Sequence, residues 1–251
     1  MLDFSRCALI ITGCMNPNLK VPNLVLQNAS ERKKQYIDSL KFYIMHTRFK
    51  KIIYGDSSNC PEEQDVINCA KEYGKQIEWL NFYGDSKAVE KNGKGYGEGE
   101  IIEYIFEHSN LLKEVDYIIK ITGRLIVKNI NFLSAFAQND VTYFQPSIFE
   151  DGKLYINTRL YMMPKAMYEE YFKNAYKRVR DREKIYLEHT FGEVVQEKLV
   201  KYKCFLVYPN YLGISGSTGI SYNSSWVTRL KNTIRMYMAK YEKINSNKYH
   251  F

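Results

Sequence analysis

Two glycine-rich stretches carry residue types that could bind an anion. The first covers 93–99, where glycine occupies every second position, and the second covers 213–219. Glycine lets a backbone approach an anion closely, and backbone amides, hydroxyls and ammonium groups can donate hydrogen bonds to it. Both stretches therefore predict phosphate-binding loops, although the first matches neither the dinucleotide fingerprint nor the Walker motif and either could be an ordinary loop. The candidate phosphate contacts are Lys94, Gly95, Ser215, Ser217 and Thr218.

A carboxylate and an imidazole stand side by side at Glu188 and His189. Either type of group can accept a proton from a hydroxyl, so this pair is a candidate for general-base chemistry. Adjacent residues on a helix point about 100° apart, so we expect only one of the two to face a given site, and we favour Glu188. Alternative carboxylates are Glu98 and Glu100, which could instead stabilise a helix N-terminus.

The first half of the chain alternates buried strands with amphipathic helices. Continuous apolar runs indicate the strands, and apolar residues at helical spacing indicate the helices. Repeated strand–helix units with short connections predict an α/β fold whose mostly parallel central sheet is flanked by helices. The predicted strands are 7–11, 51–54, 77–82 and 117–121, and the predicted helices are 30–48, one opening at 61–63 and one from 100 to 112.

Polar residues follow the first two predicted strands directly. Thr12 and Gly13 close the first strand, and Asp56 and Ser57 follow the second. Open α/β sheets bind ligands in the crevice at the carboxyl ends of their strands. These four residues are therefore candidate contacts for the base and ribose of a nucleotide.

The regular alternation of strands and helices ends after Arg124, and a mixture of helices, strands and a hairpin is predicted beyond it. Asp151-Gly152 is a strong turn signal and predicts a hairpin over 147–163. No repeat, low-complexity linker or clear boundary interrupts the chain, so we expect one domain over 1–251, with a nucleotide-binding half (1–128), an acceptor half (129–223) and a basic C-terminal helix (224–251). The other elements predicted here are helices at 129–137, 165–180, 184–198 and 225–240 and strands at 141–144 and 204–208.

Composition narrows the class of protein. The chain has 251 residues, a hydrophobic fraction of 45% and a charged fraction of 25%, as in ordinary globular proteins. Its formal net charge of +8 favours an anionic partner, which could be a nucleotide, a nucleic acid or a membrane surface. Five cysteines without a CxxC pair indicate free thiols, and no stretch approaches the roughly 20 apolar residues of a membrane span or resembles a secretory signal. We therefore expect a cytoplasmic protein.

The predicted C-terminal helix is basic and amphipathic. Trp226, Leu230, Ile234 and Met238 fall near one face, and basic residues occupy the rest. Such a helix suits the anionic surface of a membrane, which would make the protein peripheral on the inner membrane. It could equally pack against the sheet like an ordinary amphipathic helix.

Several segments together resemble the bacterial glycosyltransferases of surface polysaccharides, which have a GT-A-like fold. The resemblance covers nearly the whole chain, and it implies transfer of a sugar from a nucleotide-sugar donor to a glycan or lipid-linked glycan acceptor of a capsule, lipo-oligosaccharide or O-antigen. The segments are ALIITG, ERKKQYIDSLKFYI, KKIIYGDSSN, GKGYGEGEIIEY, DYIIKITGR, NTRLYMMPKAMYEEYF, YLEHTF and GISGSTG.

The chain departs from the GT-A pattern at the end of the fourth strand. GT-A enzymes usually place Asp-x-Asp there to hold a divalent metal, whereas this chain has Lys120 and Arg124. Two cations could neutralise the leaving diphosphate directly, which predicts a transferase that needs no metal or other cofactor. The carboxylates of Glu98 and Glu100 could still bind a metal.

Two other classes of protein share some of these features. A sugar-phosphate nucleotidyltransferase has the same nucleotide-binding architecture, but the N-terminal segment ALIITGCMNPNLK lacks the glycine-rich signature of that class. A nucleic-acid-binding module would use the positive charge and the many tyrosines. Because basic residues are scattered among acidic ones and no RNA or DNA motif is present, we expect no nucleic-acid partner.

Overall fold

The structure is a computed structural model that describes residues 1–17, 28–214, 219, 221–222 and 225–246. The candidate phosphate contacts Ser215, Ser217 and Thr218 lie outside the described residues. The strands are β1 (Cys7–Gly13), β2 (Lys51–Asp56), β3 (Gln76–Asn81), β4 (Tyr117–Thr122), β5 (Ile126–Val127), β6 (Thr142–Phe144), β7 (Pro146–Ile148), β8 (Leu154–Ile156), β9 (Leu160–Pro164), β10 (Tyr202–Cys204) and β11 (Tyr211–Leu212). The helices are α1 (Ala29–His46), α2 (Gln64–Glu72), α3 (Ser86–Asn92), α4 (Lys94–His108), α5 (Ile130–Ala135), α6 (Lys165–Met167), α7 (Leu187–Glu197) and α8 (Trp226–Ser246).

A seven-stranded sheet forms the centre of the fold, in the order β10-β6-β9-β4-β1-β2-β3. The pairs β3-β2, β2-β1 and β1-β4 are parallel, and β9 runs antiparallel to both β4 and β6. Side chains of β1 enter two hydrophobic clusters, because Leu9 and Ile11 point to one face and Ala8 and Ile10 to the other. A sheet covered on both faces explains the continuous apolar runs. The predicted α/β class with a mostly parallel sheet is confirmed.

The glycine stretch 93–99 is not a loop, contrary to the prediction. Helix α4 begins at Lys94, and only Gly93, with φ +105°, is needed for a turn between α3 and α4. A Cβ at Gly95 would lie 2.9 Å from the Leu187 Cβ, and one at Gly97 would lie 3.0 Å from a Val89 methyl. Because glycine has no side chain, α4 can pack closely against its neighbours. The prediction of a phosphate-binding loop at 93–99 is therefore wrong.

The second half differs from the prediction in three places. The predicted strand 204–208 shares only its first residue with β10. The hairpin turned near Asp151 pairs only β7 with β8, whereas β9 leaves it and enters the central sheet between β4 and β6. The predicted helix 165–180 is a chain of short segments, with α6, a π-helical turn at Tyr168–Phe172 and a 3-10 turn at Ala175–Arg178. The extent of the hairpin and the broken helix both depend on contacts between segments that are distant in the sequence. The local sequence pattern does not reveal such contacts.

Helix α8 packs on the domain with the face opposite to its long apolar stripe. Met236 and Ala239 are buried, whereas Trp226, Leu230, Ile234 and Met238 are each more than half exposed. The apolar stripe predicted from the sequence is therefore present and faces solvent. Within the described part of the chain, no helix combines the length and hydrophobicity needed to cross a bilayer.

Candidate active site

The carboxyl ends of three parallel strands meet at one edge of the sheet. Thr12 of β1 lies in register with Gly55 of β2 on one side and with Thr122 of β4 on the other. Two adjoining cavities open at this edge, in the position expected for a ligand crevice of an α/β sheet.

The first cavity has a volume of about 650 Å³ and lies over the ends of β1 and β2. Thr12, Gly13 and Ser57 line it as predicted, together with Arg32 and Tyr36 of α1. Its size is within the range of roughly 300 to 1,000 Å³ that is typical of small-molecule sites. The cavity is therefore large enough to hold a small-molecule ligand.

The second cavity, of about 370 Å³, lies between the end of β4, the segment after β8 and the start of α7. Its wall combines aromatic side chains with opposite charges. The wall residues with these properties are Tyr155, Tyr186, Tyr222, Arg159, Asp181 and Glu188. Ligand pockets commonly combine aromatic side chains with a small number of polar groups that fix the orientation of the ligand.

Four residues line both cavities and form their shared wall: Lys94, Glu98, Thr122 and Arg124. A ligand that spans the two cavities would pass these side chains. The predicted contacts Lys94 and Arg124 are thus brought together, although 30 positions separate them in the sequence. Gly95 lines the second cavity only, as part of α4.

Positive charge is concentrated around the shared wall. Burial lowers the pKa of Lys94 to about 8, and the nearby charges of Arg124 and Arg32 lower it further while Asp181 acts in the opposite direction. Arg124 donates a hydrogen bond to Gln35 at 3.2 Å, and buried Arg32 donates to the Cys14 carbonyl. The negative charges of Asp181 and Glu188 partly offset this positive charge.

Lys120 has a different position from the one predicted. It lies in the middle of β4 with its side chain fully buried, lines neither cavity and forms an ion pair with Glu98. Its ammonium group also donates to the Thr158 carbonyl at 2.8 Å. Burial lowers the pKa of Lys120, and the charge of Glu98 opposes that shift. Lys120 therefore holds Glu98 in place and has no access to a bound diphosphate.

Glu98 is the centre of a small polar network. One of its oxygens accepts hydrogen bonds from Thr122 at 2.9 Å and from Thr12 at 3.3 Å, in addition to the ion pair with Lys120. The network connects α4 to the ends of β1 and β4. Any catalytic role of Glu98 would require the carboxylate to act while it is bound to Lys120, Thr12 and Thr122.

Glu188 and His189 point in different directions, as expected for neighbours on a helix. Glu188 faces the second cavity and accepts a hydrogen bond from Thr158 at 3.1 Å. Burial raises the pKa of Glu188, and the charge of Glu98 raises it further. His189 instead lies among the rings of Phe149 and Tyr155 and accepts the Tyr186 backbone N–H at 3.2 Å. Glu188 alone of the pair lines a cavity.

The other two acidic candidates, Asp56 and Glu100, accept hydrogen bonds from backbone N–H groups. Asp56 is fully buried and accepts hydrogen bonds from the backbone N–H groups of Met15 at 3.0 Å and Ser58 at 2.8 Å, so it organises the loops below the first cavity and does not line it. Glu100 lines the first cavity and accepts the Asp85 N–H at 2.8 Å. Burial raises the pKa of Glu100.

The charged side chains near the end of β4 are a cation and a carboxylate that is already paired. Arg124 is a cation, and Glu98 is already paired with Lys120. Throughout the described ranges, no group of three or more His, Cys, Asp or Glu side chains is arranged to hold a metal ion.

Sequence reasoning missed Arg32 and Arg159. Arg32 is part of α1, where nothing in the sequence distinguishes it from the other cations of the helix, and Arg159 follows β8 without a motif around it. The signal available for Arg159 was its position, three residues beyond the apolar Leu-Tyr-Ile strand.

Comparison with known proteins gives information on the fold. No protein-family model matches the chain, and no curated protein sequence matches it either. Among solved structures, the inositol-1-phosphate CTP transferase from T. maritima superposes with a TM-score of 0.50 at 11% identity, covering 94% of this chain and 98% of that one. At this identity the likeness shows the fold alone, which is the GT-A-like fold of nucleotidyl- and nucleotide-sugar transferases.

Two further structures are similar at lower scores. A candidate nucleotide-diphospho-sugar transferase from Desulfovibrio desulfuricans G20 has a TM-score of 0.46 at 11% identity and covers 80% of each chain. The WbbM bifunctional glycosyltransferase has a TM-score of 0.45 at 12% identity over 94% of this chain and 45% of its own.

The network around Lys120 predicts a large stability change. Removal of Lys120 alone leaves the Glu98 carboxylate without its buried counter-charge, so Lys120→Met should lower the free energy of unfolding by on the order of 3 kcal/mol. The double variant Lys120→Met/Glu98→Gln should recover part of that loss. Urea unfolding of the wild type, both single variants and the double variant measures the coupling. Strictly additive losses would show that the ion pair does not connect α4 to the sheet.

Proposed function

We propose that the protein is a glycosyltransferase that binds a nucleotide-sugar donor in the first cavity and a glycan acceptor in the second. The observation that carries the proposal is the shared wall, where Lys94 and Arg124 stand between a nucleotide-sized cavity and a cavity that contains a buried carboxylate. The GT-A-like fold supports the proposal at the level of architecture.

The donor diphosphate would lie against Lys94 and Arg124, with Arg32 nearby. Its negative charge increases on the oxygen that leaves the sugar, and cations already in position stabilise that charge without reorganisation. These cations would replace the divalent metal that GT-A enzymes usually bind at the end of the fourth strand. Metal independence is therefore part of the proposal.

Glu188 would act as the general base. Its carboxylate accepts the proton of an acceptor hydroxyl, the hydroxyl oxygen forms a bond to the anomeric carbon, and the bond between that carbon and the nucleoside diphosphate breaks. The raised pKa of Glu188 brings its basicity closer to neutral pH, which suits proton abstraction.

The same carboxylate argues against the alternative reaction, nucleotidyl transfer. In that reaction the nucleophile is a sugar phosphate, which is already an anion and needs no base. Glu188 would have no proton to accept from such a nucleophile. A neutral hydroxyl is the nucleophile that this cavity suits better.

A nucleotide screen with product analysis tests the proposed function. UDP, GDP, CMP, dTDP and ADP are added to the purified protein with and without Mn²⁺, and one of them should raise the melting temperature without metal. The nucleotide-sugar of the same base should then release nucleoside diphosphate, observed by ³¹P NMR. Release of pyrophosphate from a nucleoside triphosphate and a sugar 1-phosphate would indicate a nucleotidyltransferase, and stabilisation only with Mn²⁺ would contradict metal independence.

Replacement of Glu188 tests the base. Glu188→Gln keeps the shape of the side chain but cannot accept the proton, so kcat should fall by roughly 10²- to 10⁴-fold. Because the wild-type pKa is raised, kcat should fall as the pH drops through a value above that of an ordinary glutamate, and this acidic limb should be absent in the variant. The control is Glu193→Gln, since Glu193 is on the same helix and pairs with Arg178 at the surface. Near-normal turnover of folded Glu188→Gln would exclude Glu188 as the base.

A membrane surface is the partner that we propose for α8. The exposed stripe Trp226, Leu230, Ile234, Met238 and Tyr241 is bordered by Lys231 and Arg235 on one side and by Arg229 on the other. An apolar stripe between basic borders matches anionic lipid headgroups above an acyl layer, whereas a second copy of the helix would bring like charges together. A lipid-linked acceptor at the cytoplasmic face of the inner membrane would be presented to the site by this arrangement.

Vesicle flotation tests the membrane surface. The wild type should bind phosphatidylglycerol vesicles and lose most of that binding on phosphatidylcholine vesicles or at high salt. The double variant Leu230→Glu/Ile234→Glu should reduce the bound fraction at least tenfold with an unchanged melting temperature, because both side chains are exposed. Phe136→Glu/Leu206→Glu, at two other exposed apolar positions, is the matched control. Unchanged binding by the α8 variant, or equal binding to both lipids, would contradict the proposal.

A further inference from the structure

Arg159 is a cation of the second cavity that has no role in the transfer described above. Its guanidinium carbon lies 5.0 Å from the ring centre of Tyr211 and 4.8 Å from that of Tyr222. Its Nε donates to the Asn157 side-chain oxygen at 2.9 Å. The head group is thus fixed between two aromatic rings and one hydrogen bond, while the side chain lines the cavity.

The two terminal nitrogens of Arg159 have no hydrogen-bond or ion-pair partner among the described residues. Two other arginines that are at least half-buried donate from a terminal nitrogen to backbone carbonyls. Arg32 donates from a terminal nitrogen to the Cys14 carbonyl, and Arg180 donates to the carbonyls of Lys177 and Val179. A structural arginine between two tyrosines would be expected to use its donors in the same way.

Glu188 does not neutralise Arg159. The carboxylate of Glu188 accepts a hydrogen bond from Thr158, and no ion pair joins it to the guanidinium. Both side chains line the second cavity, and although burial raises the pKa of Glu188, the charge of Arg159 acts to lower it. One wall of the cavity therefore carries a base and, next to it, a fixed cation.

A fixed guanidinium with two available donors has a defined chemistry. Its planar fork matches the two oxygens of a carboxylate or a phosphate, which it can bind through two parallel hydrogen bonds. The tyrosine rings hold the fork in one orientation, so little side-chain entropy is lost when an anion binds. A neutral sugar hydroxyl would satisfy only one donor and leave the charge unpaired.

We propose that Arg159 recognises an oxyanion, a carboxylate or a phosphate, on the sugar that occupies the second cavity. This inference rests on the proposed function, because only the proposed function identifies that sugar as the acceptor. The acceptor would then be an acidic sugar, such as a uronic acid or a phosphorylated residue, whose hydroxyl is presented to Glu188 while its anionic group binds Arg159.

Binding of small probes tests the inference without requiring transfer. Ligand-observed NMR titrations compare glucuronic acid, glucose 6-phosphate and neutral glucose on the full chain, each with and without the nucleoside diphosphate that stabilises it. At least one anionic probe should bind roughly ten- to a hundredfold more tightly than glucose, which is the usual effect of a charge-assisted pair. The stronger of the two anionic probes identifies carboxylate or phosphate as the recognised group.

Variants assign the preference to Arg159. Arg159→Met should reduce the preference to less than about twofold, whereas Arg159→Lys, which keeps the charge without the fork, should retain part of it. Arg178→Met removes a surface arginine that pairs with Glu193 and Glu197, and it should leave the preference intact. Melting temperatures confirm that each variant is folded, and Arg159→Lys keeps the test valid if the methionine variant is not.

Two results would overturn the inference. One is equal binding of glucose and both anionic probes to the wild type, and the other is an anion preference that survives in folded Arg159→Met. A failure of the proposed function looks different: the anionic probe would bind through Arg159 while no nucleotide binds the first cavity and no sugar is transferred.

Discussion

The buried ion pair between Lys120 and Glu98 determines how the site is assembled. A fully buried lysine in the middle of a parallel strand is tolerable only when a counter-charge reaches it, because a desolvated ammonium group is otherwise very costly. Glu98 supplies that charge from α4 and at the same time binds Thr12 and Thr122 at the ends of β1 and β4. The wall between the two cavities exists because α4 is held on the sheet in this way.

Helix α4 also explains where sequence reasoning failed. Alternating glycines with Lys94 among them have the composition of a flexible anion-binding loop, and glycine has low intrinsic helix propensity. Tertiary packing overrides that propensity, since Gly95 and Gly97 let α7 and α3 approach the helix closely. The strands were predictable because their apolar runs are continuous. The position of β9 between β4 and β6 was not, since pairing between distant segments leaves no local pattern.

Whether a residue of the candidate site could be predicted from the sequence depends on the element on which it lies. Thr12, Gly13 and Ser57 could be located from the sequence because parallel strands end at the same edge. Helical geometry predicted that only one of Glu188 and His189 faces the site, and the structure places only Glu188 at one of the two cavities. Arg32 and Arg159 come from a helix and a connecting segment, where a cation in the sequence looks like any surface charge. Asp56 lies at the end of β2 as predicted, but its carboxylate accepts hydrogen bonds from the surrounding backbone N–H groups.

A crystal structure of the protein with the nucleoside diphosphate that stabilises it most would test the account most directly. The account predicts the base and ribose in the first cavity and the diphosphate between Lys94 and Arg124, with Glu188 facing the open second cavity beyond the terminal phosphate. A nucleotide bound elsewhere, or a diphosphate held through a metal at Glu98 with Lys120 displaced, would contradict it.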